Sequence, residues 1–322
     1  MKEGNYKCRK NKFIFYKYLK TNRMRILFCD SVLDRKAVEP AYDEEMQCAV
    51  ENGFVTSLFS FEERCAGDVS SALKYISPLD EMELALYRGW MLTPLEYERL
   101  YEALIQKNIQ LVNNPEAYKH CHYLPFSYHQ IASKTPQSKW STNLEDKSIQ
   151  ALAEFFGSKP IIVKDYVKSE KHHWEEACYI PDASDFNHVK SVVSQFIQLR
   201  GDSLNEGIVF REFEDLTFLT DHSKSGMPLT KEFRIFFAKG NVVDIFHYWD
   251  EGEYGDIQPD LEEFVEIAQR IESQFFSMDV AQKKNGDWII MELGDGQVAG
   301  LPEKANVDVF YRKLKEGFAS LA

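Results

Sequence analysis

The sequence has no run of about 18 apolar residues, and its first residues lack the charged, apolar and small-residue order of a secretion signal. We therefore expect no membrane-spanning helix. The six cysteines are scattered without any C-x-x-C pair, which argues against a zinc knuckle and against a disulfide framework. Together, these absences predict a cytoplasmic protein.

Two catalytic motifs are also absent, the Walker loop G-x-x-x-x-G-K-[ST] and the nucleophile elbow G-x-S-x-G. The chain therefore lacks the sequence signs of a P-loop nucleotide hydrolase and of a serine hydrolase. Basic residues are in the minority, with 38 Lys and Arg against 51 Asp and Glu and a net charge of −13. This balance disfavours broad attraction to nucleic acid or to an anionic membrane, although a local basic groove is compatible with it.

The chain has 322 residues, of which 44% are apolar and 14% aromatic, and this composition suffices for two or three compact units. Its start differs from the rest, because residues 1–23 hold eight Lys or Arg and a single acid, Glu3. This basic extension is either a contact for a phosphate-bearing partner or a dispensable addition before the first strand.

Residues 24–115 predict a small α/β domain with a parallel sheet, because strands and helices alternate in this stretch. The predicted strands are 25–29, 55–59 and 109–112, and the predicted helices are 40–52 and 94–106. Arg88 lies in a strand-to-helix connection, where ligand-binding residues often gather. It either binds a ligand or packs on Trp90 for stability.

The next stretch begins with a predicted helix at 116–125 that contains His120 and His122. Alternate residues on a helix point in different directions, so these two side chains cannot share a metal ion without distortion. We expect them to be structural or to face solvent. The polar segment 133–143 predicts a loop, and a helix is predicted at 144–156.

Residues 160–166 predict a strand with Lys164 near its end, and the segment that follows carries Lys168 and Lys171. A lysine ammonium on a rigid strand suits a phosphate, and a loop after it can close over a nucleotide. The alternative is that Lys164 pairs with a neighbouring acid. A helix is predicted at 186–200, where the apolar residues recur at helical spacing.

Two later stretches carry polar residues on predicted strands. Residues 207–216 form an apolar strand that runs into an acidic hinge at Glu212, where main-chain groups and a carboxylate suit a purine base and its ribose. Residues 231–246 form a hairpin on which Glu232 and Arg234 share one face. The alternative is that these polar residues, which alternate with apolar ones along the strand, form a solvent-exposed face of the sheet.

A second hairpin holds Asp279 on one strand and Glu292 on the other, with a tight turn at 285–286. Antiparallel pairing predicts that the two carboxylates lie side by side, which suits a hard cation such as Mg²⁺. The simpler interpretation is a surface hairpin with solvated acids. Asp295, which lies between two glycines, favours a ligand close to the backbone.

Five segments occur in an order that resembles the nucleotide and metal motifs of the ATP-grasp superfamily. They are Ile161–Lys164, Val209–Phe213, Lys231–Arg234, Asp279–Ala281 and Glu292–Asp295. Within the superfamily, two segments resemble those of a clade of bacterial and phage-associated predicted amide ligases. These segments are Tyr87–Leu92 and Glu292–Gln297.

The resemblance covers the chain from Met24 onward and implies an α/β and α+β fold. An N-terminal Rossmann-like pre-ATP-grasp domain would be followed by a two-subdomain ATP-grasp fold that clasps ATP. The implied units are the basic extension at 1–23, the N-terminal domain at 24–115, a lid subdomain at 116–208 and a C-terminal subdomain with the metal site at 209–322.

The resemblance also implies ATP and Mg²⁺ as cofactors, and it implies roles residue by residue. The implied nucleotide contacts are Lys164, Glu212, Phe213, Lys231 and Lys171. The implied metal ligands are Asp279, Glu292 and Asp295. The implied catalytic residues are Arg234 and Lys168 at the transferred phosphoryl group, with Arg88 and Arg211 gripping the acceptor carboxylate or the acyl phosphate.

Two positions depart from the pattern of the superfamily. Its metal site usually has Glu-x-Asn, but here Gly294 stands at the asparagine position, and Asp295 is the candidate for the missing oxygen. The loop after Lys164 is glycine-rich in many relatives, but here it carries basic and aromatic side chains, which are candidates for replacing backbone amides at the phosphates.

The reaction implied by the resemblance is phosphoryl transfer from ATP to a carboxylate, followed by attack of an amine. The substrates would be small molecules or peptides that carry these groups. Two alternatives stay open. Action on a nucleic-acid terminal phosphate is favoured only by the basic residues 1–23, and a nucleotide-binding protein without catalysis is favoured by Gly294 in place of asparagine.

Overall fold

The first of four sheets is parallel and follows directly from the alternation of strands and helices near the start of the chain. The computed structural model describes residues 23–224 and 226–319. Within them, this sheet has the strand order β2-β1-β3-β4. Its strands are β1 (Arg25–Cys29), β2 (Val55–Phe59), β3 (Glu83–Arg88) and β4 (Ile109–Leu111). The predicted parallel pairing is confirmed, and β3 ends at Arg88 next to the predicted strand-to-helix connection.

The helices of this part begin at residues that favour helix starts. The Thr93 side chain accepts a hydrogen bond from the backbone N–H of Glu96, and the Glu96 side chain accepts one from the backbone N–H of Thr93. Pro94 occupies the first helical position. The helices up to residue 131 are α1 (Asp43–Glu51), α2 (Phe61–Cys65), α3 (Val69–Ala72), α4 (Pro94–Ile105), α5 (Pro115–His122) and α6 (Leu124–Ile131). A 3₁₀ turn at Pro40–Tyr42 precedes α1.

The second sheet is antiparallel, with the strand order β5-β8-β6-β7. Its strands are β5 (Ser138–Ser141), β6 (Ile161–Asp165), β7 (Tyr179–Ile180) and β8 (Ile208–Glu212). The accompanying helices are α7 (Asp146–Glu154), α8 (Trp174–Ala177) and α9 (Phe186–Arg200). The bounds of α9 match the sequence prediction, because its spaced apolar residues form one buried face.

The prediction that 133–143 is a loop is wrong for Ser138–Ser141, which form the edge strand β5. This strand pairs with β8 on one side only. An edge strand does not need apolar residues on both faces, so its polar sequence gave no strand pattern.

The third sheet, also antiparallel, has the order β12-β11-β13-β14. Its strands are β11 (Glu232–Ala238), β12 (Asn241–His247), β13 (Phe275–Gln282) and β14 (Trp288–Asp295), and they follow a small hairpin of β9 (Phe218–Asp221) and β10 (Pro228–Thr230). The register pairs Arg234 with Asp279 and Asp279 with Glu292. The prediction that antiparallel pairing places the two carboxylates side by side is confirmed.

Two further helices complete the fold, α10 (Leu261–Ala268) and α11 (Val307–Ala319). The last one joins the first and third sheets into one core, because Phe310 of α11 belongs to the same buried cluster as Phe28 of β1 and Phe236 of β11. Burial of such aromatic side chains is a main stabilising contribution in a domain core. The two sheets are therefore held together by packing as well as by the chain.

The limits of the predicted domains stay predictions. Strand β8 crosses the predicted limit between residues 208 and 209, and it pairs with β5 and β6 on its two sides. The basic extension lies outside the described residues except for Arg23. Along the described part of the chain, no helix is both long and apolar enough to cross a membrane.

Candidate active site

A cavity of about 250 Å³, here called the central cavity, lies against strands β11, β13 and β14. The loop after β3, helix α5 and the loop after β6 close its other sides. The lining side chains that carry polar or charged groups are His122, Lys168, Arg234, Tyr248, Ser277, Asp279, Glu292 and Asp295. Five of the predicted site residues therefore meet at one place, namely Lys168, Arg234, Asp279, Glu292 and Asp295.

Arg234 and Asp279 form a paired charge on the cavity wall. Nε and Nη2 of Arg234 donate to the two carboxylate oxygens of Asp279, each at 2.8 Å. The ring of Tyr248 lies over the guanidinium, with its centre 4.9 Å from Cζ. Burial alone would lower the pKa of Arg234, but the charge of Asp279 more than offsets this and raises it. Nη1 also donates to the carbonyl of Gly300 at 3.0 Å. Arg234 is thus a fixed cation, and the second N–H group on each of Nη1 and Nη2 is left for a ligand.

Glu292 contrasts with Asp279, because no hydrogen bond or ion pair holds its carboxylate within the described residues. Burial disfavours its charge, but the surrounding positive charges outweigh burial and lower its pKa. These charges belong to Lys164, Lys168, Lys171 and Arg234. Glu292 is therefore an ionised carboxylate that lines the cavity and is available to a ligand.

Lys164 lies on β6 with 7% of its surface exposed, and its ammonium makes no hydrogen bond or ion pair with the described part of the chain. Burial lowers its pKa, and the charge of Glu292 only partly offsets this effect. Pairing with the neighbouring Asp165 is not observed, since Asp165 instead bonds to Arg200 at 3.2 Å. The strand lysine is thus a buried cation without a fixed partner.

The side chain of the same Asp165 also fixes the start of the loop after β6. One of its carboxylate oxygens accepts the backbone N–H groups of Val167 and Lys168, at 2.7 and 2.5 Å. These two hydrogen bonds form a turn that directs the chain back toward the cavity. Lys168 and Lys171 are exposed in this loop, and both charges act on Glu292. The loop therefore brings Lys168 to the central cavity, whereas Lys164 and Lys171 do not line it and act on Glu292 through their charges.

The acidic hinge after β8 lies apart from the central cavity. Glu212 forms an ion pair with Lys159 at 2.9 Å, and the backbone N–H of Phe213 donates to the carbonyl of Pro160 at 2.9 Å. The Phe213 ring packs edge-on against Tyr179, with ring centres 5.1 Å apart. A base at this hinge would have to use groups other than that amide.

Residues 155–314 match the family model described as the ATP-grasp domain, R2K clade family 3. The chain belongs to the ATP-grasp superfamily. Solved structures show the same fold. One is the RimK domain protein ATP-grasp from Sphaerobacter thermophilus, with a TM-score of 0.57 and 11% identity over 91% of this chain and 98% of that chain. No curated protein sequence matches the chain.

Two further structures of similar fold are ligases. The ATP-grasp ligase PsnB, complexed with its precursor peptide PsnA2 and AMPPNP, has a TM-score of 0.53 and 12% identity over 92% of this chain and 95% of that chain. PsnB has also been solved with Mg and ADP. The D-alanine–D-alanine ligase from Bacillus anthracis, complexed with ATP, has a TM-score of 0.52 and 12% identity over the same two shares.

Three residues that the ATP-grasp resemblance assigned to the site are committed elsewhere, and Arg88 is the first. It is 1% exposed, and Nε and Nη2 donate to the Glu45 carboxylate at 2.9 and 2.7 Å. Nη1 donates to the carbonyls of Gly296, Gln297 and Ala299. All of its nitrogens are thereby bonded within the protein. These bonds favour a structural role for Arg88, and its role in gripping an acceptor carboxylate stays a prediction.

Arg211 is the second. Its Nη1 donates to the carbonyl of Met291 at 2.6 Å, and Nη2 donates to Thr135 Oγ1 at 2.8 Å and to the carbonyl of Ile290 at 3.0 Å. Burial lowers its pKa to about 10, against the charge of Glu292. In this ATP-grasp core, Arg211 therefore holds the backbone just before Glu292. These bonds favour a structural role, and its grip on a substrate stays a prediction.

Asp295 is the third. Its carboxylate is fully buried and accepts hydrogen bonds from the Asn113 side chain at 2.6 Å and from the backbone and side chain of Gln297 at 2.9 and 3.1 Å. Burial raises its pKa to about 7, against these hydrogen bonds. Its lone pairs are directed to the protein, so we do not carry it forward as a metal ligand.

Gly294 stands where ATP-grasp enzymes usually have asparagine, and the structure gives a physical reason. It pairs with Ser277 across β13 and β14, and a Cβ atom at this glycine would lie 2.9 Å from Ser277 Oγ. Real Cβ atoms do not approach another atom so closely. A side chain at 294 would therefore require the Ser277 hydroxyl, which lines the cavity, to rotate away.

Other sequence predictions are only partly matched. Lys231 donates to the carbonyl of Tyr254 at 3.4 Å and does not line the cavity. His120 and His122 are each 6% exposed, so they do not face solvent. Among the described residues, no group of three or more His, Cys, Asp or Glu side chains is placed to hold a metal ion.

Three cavity residues were missed by sequence reasoning, namely His122, Tyr248 and Ser277. Ser277 was in principle accessible, since it lies two residues before Asp279 and so has its side chain on the same face of the strand. His122 and Tyr248 reach the site from other elements, and no pattern in the sequence pointed there.

Proposed function

We propose that this chain is an ATP-dependent ligase that phosphorylates a carboxylate and couples the product to an amine, with release of ADP and phosphate. The observation that carries the proposal is Glu292, an ionised carboxylate without a protein partner on the wall of the central cavity, with four positive charges acting on it. Glu292 is partly buried, and a partly buried charge without a protein partner is unfavourable to the fold. Retention of such a group suits a site whose ligand completes the pairing.

The residues present fit Mg²⁺ and ATP. Mg²⁺ is bound in nucleotide sites by one or two carboxylates together with phosphate and water oxygens. Glu292 offers a free carboxylate, and Asp279 retains a second lone pair on each oxygen beyond its bonds to Arg234. We propose these two residues as the metal ligands. When bound, Mg²⁺ would neutralise phosphate charge.

The chemistry proposed for the site is a balanced transfer in two steps. A carboxylate oxygen of the substrate attacks the γ-phosphorus, the bond to the oxygen that bridges the β and γ positions breaks, and ADP leaves. An amine nitrogen then attacks the carbonyl carbon of the acyl phosphate, phosphate leaves, and the nitrogen loses a proton. Such transfer depends on positioning and on charge stabilisation, and the protein needs no covalent nucleophile.

Each proposed role follows from a contact. Lys164 supplies a buried cation for the nucleotide phosphates, and Lys168 and Lys171 add charges from the loop above. Arg234 is held in place by Asp279 and by the ring of Tyr248, so it can meet the transferred phosphoryl group without reorganisation. The hinge at Glu212 and Phe213 is the proposed place for adenine, with Lys231 kept as a more distant contact.

The relatives support the substrate class. D-alanine–D-alanine ligase and PsnB are both ligases, and PsnB was solved with a precursor peptide. We therefore propose a small molecule or a peptide as the carrier of the carboxylate and of the amine. The alternative that acts on nucleic-acid ends rests on residues 1–23, which lie outside the described residues apart from Arg23, and no observation at the cavity favours it.

The test is ADP formation from ATP in the presence of a metabolite and peptide extract, followed by mass spectrometry of the product. We expect ADP and phosphate in equal amounts, together with a product whose mass equals the two substrates minus water. Formation of AMP, or of no product with the wild-type chain that binds ATP, would contradict the proposal. Glu292→Gln is the inactive reference, and the exposed Glu154→Gln is its matched control.

A further inference from the structure

His122, near the end of helix α5, lines the central cavity with 6% of its surface exposed. Its ring is the last of three stacked rings. The ring centres of Tyr97 and Tyr118 are 3.9 Å apart, with 9° between the ring planes. The ring centres of Tyr118 and His122 are 4.8 Å apart, with 14° between the planes. The hydroxyl of Tyr118 is fixed by the carbonyl of Leu92 at 2.8 Å. The imidazole is therefore held in one orientation.

A single hydrogen bond defines the tautomer of this ring. Nδ1 of His122 accepts the backbone N–H of Asp295 at 3.3 Å. A nitrogen that accepts carries no proton, so the ring is neutral and its proton lies on Nε2. Nε2 is buried and has no hydrogen-bond partner in the described part of the chain. An unpaired buried donor is costly, and such donors require an explanation.

The neighbourhood of the ring indicates what the donor would meet. His122 interacts electrostatically with Glu292 and with Lys168, the carboxylate and the loop lysine of the proposed nucleotide site. His120, two residues earlier, also has a buried Nε2 without a hydrogen-bond partner among the described residues, but its ring does not line the cavity. The two histidines thus differ in access to a ligand, and His120 is a natural control.

We propose that Nε2–H of His122 donates a hydrogen bond to a phosphoryl oxygen of the nucleotide bound in the central cavity. The inference rests on the proposed function, because it takes the ligand to be ATP. A neutral imidazole held by Asp295 and Tyr118 supplies direction without adding a fifth positive charge. Arg234 and the lysines neutralise the phosphates, whereas His122 would orient them.

Two substitutions of His122 test its Nε2–H donor separately from its Nδ1 acceptor. His122→Asn places an amide near the position of Nδ1, so it can keep the bond to Asp295, but it removes the donor. His122→Gln places an amide nitrogen near the position of Nε2 and so keeps the donor. A hydrogen bond to a charged group changes binding by about tenfold or more. We expect His122→Asn to weaken AMPPNP with Mg²⁺ at least about tenfold, whereas His122→Gln and His120→Asn stay within about threefold.

The experiment combines calorimetric titration of these variants with AMPPNP and Mg²⁺ and NMR of the imidazole N–H protons in the ¹⁵N-labelled wild type. We expect the Nε2 proton of His122, but not that of His120, to shift when AMPPNP binds. The same titration with ADP assigns the contact. A loss seen with AMPPNP alone places it at the γ-phosphate, and an equal loss with ADP places it at the first two phosphates.

The outcomes against the inference are distinct from those against the ligase. If AMPPNP binds the wild type but the His122 proton does not shift and His122→Asn binds equally well, the role of His122 is overturned while the nucleotide site stands. If the wild type does not bind AMPPNP, the proposed function fails and takes this inference with it. A shift of the His122 proton without ligase activity would keep the inference and reject the reaction.

Discussion

Two groups of buried or partly buried charges touch the segment 296–300 and differ in how completely they are paired. The first, here called the clamp, consists of Arg88, Glu45 and Tyr311. Arg88 is bonded at every nitrogen, and the Tyr311 hydroxyl donates to Glu45 at 2.6 Å. The second is the central cavity, where Glu292 has no hydrogen-bond partner in the described part of the chain.

The comparison teaches that burial and charge alone do not mark a functional residue. Arg88 lies in the motif that resembles the ligase clade, yet its donors are satisfied by the protein and leave nothing for a ligand. Lys164 is also buried and Glu292 is partly buried, but neither has a hydrogen-bond or ion-pair partner in the described part of the chain. The physical distinction is the completeness of the hydrogen-bond set, since an incomplete set is destabilising unless a ligand completes it.

The largest expected effect comes from removing the unpaired charge of Glu292 in the central cavity. Glu292→Gln should lower the rate constant of ADP formation by about a thousandfold, because removal of one preorganised charge from an active site typically has effects of this size. The melting temperature should change by less than about 3 °C, since no protein contact is lost. Kinetics and thermal unfolding check both parts. A variant that is destabilised but active would show that Glu292 is a structural residue.

Removing the paired charge of Arg88 from the clamp should lower the stability of the protein. Arg88→Met leaves Glu45 buried without its partner and should lower the free energy of unfolding by about 3 to 5 kcal/mol. Urea unfolding followed by tryptophan fluorescence measures this change, and the exposed Arg99→Met is the matched control. If the variant keeps its stability and loses affinity for the acceptor, Arg88 grips substrate after all.

A smaller effect is expected where the chain departs from the superfamily pattern. Gly294→Asn should lower stability by about 1 kcal/mol, the low end for an added side chain, because the hydroxyl of Ser277 must rotate away from it. Adding Ser277→Gly should recover most of the loss, since it clears that space. Thermal unfolding of both single variants and of the double variant forms the test. Additive losses in the double variant would contradict the cross-strand account.

The sequence was sufficient where a local pattern decides the structure. The spaced apolar residues of α9 predicted its bounds, and the turn at 285–286 with strands on both sides predicted that Asp279 and Glu292 are neighbours. The order of the motifs was sufficient to predict the ATP-grasp fold. Lys164 was placed correctly on its strand because a single lysine interrupts an apolar run.

What sequence reasoning missed depends on partners that are distant along the chain. Arg88 is held by carbonyls more than two hundred positions later, and Asp295 is held by Asn113 from the first part of the chain. Periodicity carries no information on such contacts. The spacing of His120 and His122 excludes a shared metal ion, but it carries no information on a single ring that acts alone.

The most direct test of the central claim is the fate of carboxylate oxygen. The acceptor identified in the ligase assay is labelled with ¹⁸O in its carboxylate, and the phosphate released by the wild-type chain is examined by mass spectrometry. Attack of the carboxylate on the γ-phosphorus predicts one ¹⁸O atom in each phosphate. Unlabelled phosphate alongside ADP would contradict the acyl phosphate and with it the proposed ligase chemistry.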